Sequence, residues 1–302
     1  LEIYDVTTPS NPQRIGTYSK ELIGTMKIKD GLLYASTDFK EISATETHKF
    51  VILDVSNPKN IVERGNFPIP ISKGHLERFT ISGNYAYLAI GYDINPGYVF
   101  IVDISNPTQP KEVSRISGNS YAGFTAVEVD ETAHILYAFE YRAKLHTYDI
   151  SNPAAPVELG TIGTDKGLGV LGPGSYMKIR GKYAYFSAFY EGVRVIDISN
   201  PRNMTLAAKG LSSDRFGYVH DIILSGEYAY VANMGGGFSI FSIAAPPKPK
   251  YVMQLDTHGI FYDVQTSGNY AYVSADYELM VFDITNINNP VHVGSVEWAR
   301  AG

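Results

Sequence analysis

The chain has no cysteine among its 302 residues, so disulfides, thiolate metal sites and cysteine nucleophiles are excluded. That absence does not fix a compartment, because disulfide-free proteins occur everywhere. No apolar run approaches the roughly 20 residues that a membrane-spanning helix requires, so no transmembrane segment is expected. Basic residues are also too few for a general nucleic-acid binder. Against 31 Asp and Glu there are 25 Lys and Arg, a formal charge of −6, which repels phosphate unless cations cluster tightly. No stretch carries a convincing helical period. What the chain does have is apolar surface: 44% hydrophobic and 19% charged residues exclude disorder as the dominant state and imply a sizeable core. It opens on Leu1 and runs directly into the strand-like Leu1–Val6 with no basic leader. This suggests a processed or trimmed form whose targeting segment is gone.

One motif recurs along the chain: a hydrophobic strand ending in Asp, followed by Ile/Val, Ser/Thr, Asn and Pro. Its Asp falls at Asp5, Asp54, Asp103, Asp149, Asp197 and Asp283, with a degenerate copy at Ser242-Ile243-Ala244-Ala245-Pro246. The mean interval is about 46 residues, the period of a solenoid or propeller. A second motif alternates with it: Ser82-Gly83-Asn84-Tyr85-Ala86-Tyr87 matches Gly181-Lys182-Tyr183-Ala184-Tyr185, Ser225–Tyr230 and Ser267–Tyr272. Gly and Asn tolerate positive φ, so each copy reads as a tight hairpin. The third unit then has four strands, A to D: Glu77–Ile81, Tyr85–Ile90, Tyr98–Ile104 and Lys111–Ile116, rich in Val, Ile, Tyr and Phe. Four-stranded antiparallel units of this length are β-propeller blades. The expected fold is therefore all-β, one propeller domain over 1–302, with units near 1–20 (partial), 21–70, 71–118, 119–163, 164–211, 212–257 and 258–302. The preferred count is seven blades, the first incomplete; six blades with an extra hairpin is the alternative.

The third strand of each unit reads Phe50-Val51-Ile52-Leu53-Asp54, Val99-Phe100-Ile101-Val102-Asp103, Val193-Arg194-Val195-Ile196-Asp197 and Leu279-Met280-Val281-Phe282-Asp283. These segments resemble the LVIVD-repeat family of β-propellers, found mainly in bacterial and archaeal surface or secreted proteins. The resemblance covers nearly the whole chain. It implies an extracellular or cell-surface location and a binding or scaffolding role. No cofactor is assigned.

The repeated Asp is assigned to blade geometry, because a residue needed once per blade is not a catalytic residue needed once per protein. At a strand end its carboxylate can accept backbone N–H groups two residues on, and the Pro stops the strand. The Tyr-Ala-Tyr pairs are assigned to packing between blades, with carbohydrate stacking as the alternative. In a propeller the A–B and C–D turns lie at one end and the B–C and D–A loops at the other. The former are nearly uniform here; the latter vary in length and content, so the B–C/D–A face is the candidate binding face for protein, peptide or glycan.

Aligning units on the A–B turn places Thr25-Met26, Glu77-Arg78, Thr125-Ala126, Tyr176-Met177, His220-Asp221 and Tyr262-Asp263 at the start of strand A, with His75, Tyr121, Phe124, Tyr218, His258 and Phe261 nearby. The candidate ligand residues are Glu77, Arg78, Tyr176, His220, Asp221, His258, Tyr262 and Asp263. Alternatively the charged ones pair with each other and with backbone. Gly167–Gly172 spells a dinucleotide-binding pattern, but Pro173 and a strand follow it where a helix is required. The seven His show no H-x-H or H-x-x-x-H spacing, so no metal site is assigned, although one assembled across blades from His75, His220 and His258 with Asp221 or Asp263 stays open. No catalytic residue is assigned. The enzymic alternative is a hydrolase or lyase using His220/Asp221 or His258/Asp263 as acid–base groups.

Overall fold

The computed structural model describes residues 1–20, 22–38, 48–71, 74–91, 94, 96–118, 123–141, 144–163, 176–187, 193–208, 218–234, 237–246, 248–255, 260–275 and 278–297. Every regular element among them is a β-strand, and no helix there is long and apolar enough to cross a membrane. The first two, β1 (Glu2–Asp5) and β2 (Gln13–Thr17), form a two-stranded sheet. Six four-stranded antiparallel blades follow, each in the order A-B-C-D. They are β3 (Leu22–Lys29) to β6 (Val62–Pro68) through β4 (Leu32–Asp38) and β5 (Lys49–Asp54); then β7 (His75–Ser82), β8 (Tyr85–Gly91), β9 (Tyr98–Asp103) and β10 (Lys111–Ser117). The third blade is β11 (Phe124–Asp130), β12 (Ile135–Glu140), β13 (Lys144–Asp149) and β14 (Val157–Gly163); the fourth is β15 (Met177–Arg180), β16 (Tyr183–Ser187), β17 (Val193–Asp197) and β18 (Thr205–Ala208). The last two are β19 (Tyr218–Ser225), β20 (Tyr228–Met234), β21 (Gly237–Ser242), β22 (Lys250–Leu255), and β23 (Phe261–Ser267), β24 (Tyr270–Ala275), β25 (Glu278–Asp283), β26 (Val291–Glu297).

The preferred count of seven blades is thus corrected to six, the alternative. The Asp motif belongs to strand C, which β1 supplies, so it counts seven. A blade also needs strands A and B, which the β1–β2 hairpin does not contain. The chain divides into two compact units: Leu1–Tyr4 with Arg14–Leu159, holding the first three blades and most of the hairpin, and Asp5–Gln13 with Gly160–Gly302, holding the last three blades and the loop between β1 and β2.

The Asp motif folds one way at every copy. The Oδ1 of Asp5, Asp54, Asp103, Asp149, Asp197 and Asp283 accepts the N–H two residues on at 2.8–2.9 Å. Hydrogen bonds from the side chain and the N–H of the residue two on hold the carboxyl groups of Asp5, Asp103, Asp197 and Asp283 below their ordinary range, and that of Asp54, which also meets Arg64, at about 2. The next residue reaches across to the A–B turn: the N–H of Ile104, Ile150, Ile198, Ile243 and Ile284 donates to the carbonyl of Asn84, His134, Lys182, Glu227 and Asn269. In four of those turns a glycine holds φ of 53–56°, a region that suits glycine.

Strand C residues alternate between two faces, so each blade feeds two cores. Phe50 and Ile52 pack with Phe79 and Leu88 of the second blade, while Val51 and Leu53 pack with Tyr18 and Leu1 beside the hairpin. The second tyrosine of the A–B motif is buried as Tyr34, Tyr87, Tyr137, Tyr185 and Tyr230 and half-buried as Tyr272. A small residue eleven positions after the Asp seats strand D on the following Pro turn: a Cβ on Gly160 would meet Pro201 and Arg202, and one on Gly294 would meet Pro9 and Ser10. At the equivalent Ser114, Oγ donates to the Pro153 carbonyl at 2.6 Å. The Pro9 turn of the first repeat therefore lies against β26 of the last.

Candidate functional site

Five blades share an irregularity near the start of strand A. One extra residue interrupts pairing with strand B: Glu77 in β7, Thr125 in β11, His220 in β19 and Tyr262 in β23, with Gly24 and Thr25 opposite Ser36 in β3. The fourth blade shares the local bond without a bulge: the Tyr176 N–H donates to Ser187 Oγ at 2.6 Å, as Thr25 N–H does to Ser36 Oγ at 2.9 Å. A bulge bends the strand and re-aims its side chain. The positions that the turn alignment singles out are these bulge residues and the residues just after them.

In the first unit Glu77 and Arg78 are half-buried. The Glu77 carbonyl accepts Arg78 Nη1 at 2.6 Å and Thr25 Oγ1 at 3.3 Å. Lys27 on β3 links three A strands, donating to Thr80 Oγ1 at 3.1 Å and lying 3.9 Å from Glu128.

In the second unit Asp221 is 2% exposed. Its Oδ1 accepts Ile222 N–H at 2.7 Å and its Oδ2 accepts Val264 N–H at 3.2 Å, which ties β19 to β23. Burial, then the charge and hydrogen bond of Asp263 beside it, push the Asp221 carboxyl well above the usual carboxylate range, opposed by Lys178. Two of the candidate residues, Asp221 and Asp263, are thus brought together as an acid pair. Beside them a cleft of about 400 Å³ is lined by Lys178, Ile223, Ser225, Gln265 and Thr266 among others. Tyr262 is 36% exposed at the bulge of β23, and Tyr176 is half-buried against the core of the fourth and fifth blades. His220 occupies the bulge of β19 by its backbone. His258, Tyr121 and the Gly167–Gly172 stretch lie outside the described residues. Among the described residues no group of three or more His, Asp and Glu is placed to hold a metal ion.

Sequence reasoning missed one charged group. In the third blade His146 Nδ1 meets Glu158 Oε1 at 2.8 Å and Nε2 meets Glu140 Oε2 at 3.3 Å. The His146 side chain is 7% exposed. Burial opposes protonation, but the two carboxylates outweigh it and raise the imidazole above its ordinary pKa. The signal was available: strand C of this blade reads Leu145-His146-Thr147-Tyr148, where other blades have a run of Val, Ile and Phe.

The LVIVD-repeat family model matches residues 44–68, 73–117, 142–164, 172–209, 216–257 and 258–297. No curated protein matches the chain. Among solved structures it is similar to a protein from Bacteroides uniformis proposed to be a 6-phosphogluconolactonase, at 12% identity and a TM-score of 0.76, covering 98% of this chain and 92% of that one. A Bacteroides fragilis protein with the same proposed activity gives 12% identity and 0.72, covering 95% and 87%. The WD40 repeats of RRP9 give 10% and 0.69, covering 94% and 83%. At such identities the likeness is one of fold.

Proposed function

The chain belongs to the LVIVD-repeat family, and we propose that it is a non-catalytic binding or scaffold module working outside the cytoplasm or on a cell surface. It recognises protein, peptide or glycan at the end of the blades where the B–C and D–A loops lie. One observation carries this reading: a backbone bulge repeated from blade to blade is occupied by a different residue each time, Glu77, Thr125, His220 or Tyr262, and of these Thr125 is buried, Glu77 half-buried and Tyr262 36% exposed. A regular scaffold bearing individual chemistry is how recognition surfaces are built. At the opposite end the C–D turns repeat one sequence and bond by their backbone to the A–B turns.

The enzymic alternative has less support. A general base must reach a substrate proton. In the Glu140–His146–Glu158 group both ring nitrogens of His146 are engaged, and His146 and Glu140 are almost wholly buried, with only Glu158 reaching solvent. Asp221 is buried with both oxygens accepting backbone N–H groups. The test is a glycan-array and peptide-library screen with the wild type, Arg78→Ala, His220→Ala and Tyr262→Ala. The expected result is a ligand held by the wild type and weakened by these changes. Binding that ignores all three but fails on substitution in the Ser-Asn-Pro turns would overturn the choice of face. Turnover of a ligand would overturn the non-catalytic reading.

A further inference from the structure

One position of the repeat is filled in two ways. Opposite the second tyrosine of the A–B motif, strand A carries Lys27, Thr80 and Glu128 in the first three blades and Lys178, Ile223 and Gln265 in the last three. In the first set the side chains close on one another: Lys27 Nζ donates to Thr80 Oγ1 at 3.1 Å and lies 3.9 Å from Glu128. The second set keeps the cation and changes its counterparts. Ile223 has no polar group where Thr80 has a hydroxyl, and Gln265 has an amide where Glu128 has a carboxylate. That amide is turned to Asp263, its Nε2 donating to Oδ1 at 3.2 Å.

Lys178, Ile223 and Gln265 line the cleft of about 400 Å³, a volume within the range of small-molecule sites. Leu224, Ser225 and Thr266 lie on its walls, close before the Gly226 and Gly268 turns, so the cleft sits at the turn end of the inner strands. Neither the Ser225 nor the Thr266 hydroxyl has a hydrogen-bond partner among the described residues. The lining holds one charge, the Lys178 ammonium, and no carboxylate among the described residues. Arg180 brings a second cation beside Ser225, its Nη1 donating to the Gly226 carbonyl. The nearby acids are engaged elsewhere. Asp263 accepts the Gln265 amide, and Asp221 is 2% exposed with both oxygens on backbone N–H groups. Burial, then Asp263, push Asp221 toward its neutral form. Two cations thus face one exposed carboxylate, and the local field favours an anion.

We propose that this cleft binds a small hydroxy carboxylate, which brings to Lys178 the hydroxyl and carboxylate that Thr80 and Glu128 bring to Lys27. The ligand's carboxylate accepts a charge-assisted hydrogen bond from the Lys178 ammonium, and its hydroxyl exchanges hydrogen bonds with Ser225 and Thr266. Ile223 and Leu224 face its carbon skeleton. The site does not depend on the reading of the loop face, because it lies at the other end of the inner strands.

The test uses the 302-residue protein with labelled isoleucine methyl groups, titrated with malate at neutral pH and constant ionic strength. Saturable shifts of the Ile179 and Ile223 methyl resonances are expected, both residues lining the cleft, while Ile101 in the second blade stays unmoved. Succinate, which lacks the hydroxyl, should bind more weakly, and glycerol, which lacks the charge, should not bind. Lys178→Gln should weaken malate binding about tenfold or more, as for loss of a hydrogen bond to a charged group. Gln265→Glu, at an exposed position, should recreate the arrangement around Lys27 and so compete with the ligand, weakening binding comparably while circular dichroism is unchanged. No saturable shift at Ile179 or Ile223 would overturn the proposal, as would binding indifferent to Lys178→Gln or to Gln265→Glu. Succinate or glycerol binding as tightly as malate would overturn the class of ligand.

Discussion

The seating of strand D on the following Pro turn makes a sharp claim about one atom. A Cβ added to Gly294 would lie 2.6 Å from the Pro9 carbonyl oxygen and 2.8 Å from the Ser10 carbon and Cα. Favourable separations between carbon atoms are about 3.5–4.0 Å, so β26 or the turn must yield by roughly 0.7 Å or more. The obstacle is backbone on both sides, and no rotamer change relieves it. Overpacking of this kind costs about 1–3 kcal/mol, and stiffening the unfolded chain by replacing glycine returns about 0.4–1 kcal/mol. Gly294→Ala should therefore destabilise by about 1–2 kcal/mol, a fall in melting temperature of a few degrees for a chain of this size. Gly160→Ala should behave alike, since its Cβ would meet Pro201 and Arg202 backbone at 2.8–2.9 Å. The assay is thermal unfolding followed by circular dichroism. Melting temperatures unchanged or raised in both variants would refute the account.

Three further outcomes are expected. Asp103→Ala should cost about 0.5–1.5 kcal/mol, the net value of one hydrogen bond at a turn, read by urea denaturation; because these carboxyl groups are lowered in the folded state, the stability they add is present above about pH 4 and is lost as pH falls through their folded values. His146 has the opposite sign: its raised imidazole, faced by Glu140, Glu158 and the Tyr148 ring, contributes stability that is full below about pH 6.5 and lost as pH rises through its folded value, so wild-type melting should decline there and His146→Gln should flatten the profile. Asp263→Asn should raise the melting temperature at neutral pH by removing the charge beside buried Asp221; a lower melting temperature would show that the pair is held by interactions other than shared burial.

Much of the fold was legible because the chain states it repeatedly. The Asp5, Asp54 and Asp103 spacing carries the blade period, and each Asp bonds two residues on, a local event decided by adjacent atoms. The Gly83 and Gly226 turns are local too. The count of blades was less legible, since the motif marks strand C and cannot report whether strands A and B accompany it. The acid pair of Asp221 and Asp263 lay among the candidates only because both follow a bulge at the same register. Their coupling depends on β19 and β23 lying side by side. The Glu140–His146–Glu158 group was visible as polar residues in apolar strands, but its closure needs β12, β13 and β14 to bring 140, 146 and 158 onto one face.

Repetition, strand alternation and turn chemistry act over a few residues, so the sequence by itself determined the all-β blades, their period and the role of the repeated Asp. Which side chains are covered depends on the neighbouring sheet, and no local rule reports a neighbour. Met26 and Phe79 stand at one position of the repeat, yet one is half exposed and the other sealed under Tyr34 and Phe50. Only the tertiary structure decided that difference, because burial is a property of what packs against a strand, and the first blade has a two-stranded hairpin before it where the second has a complete sheet.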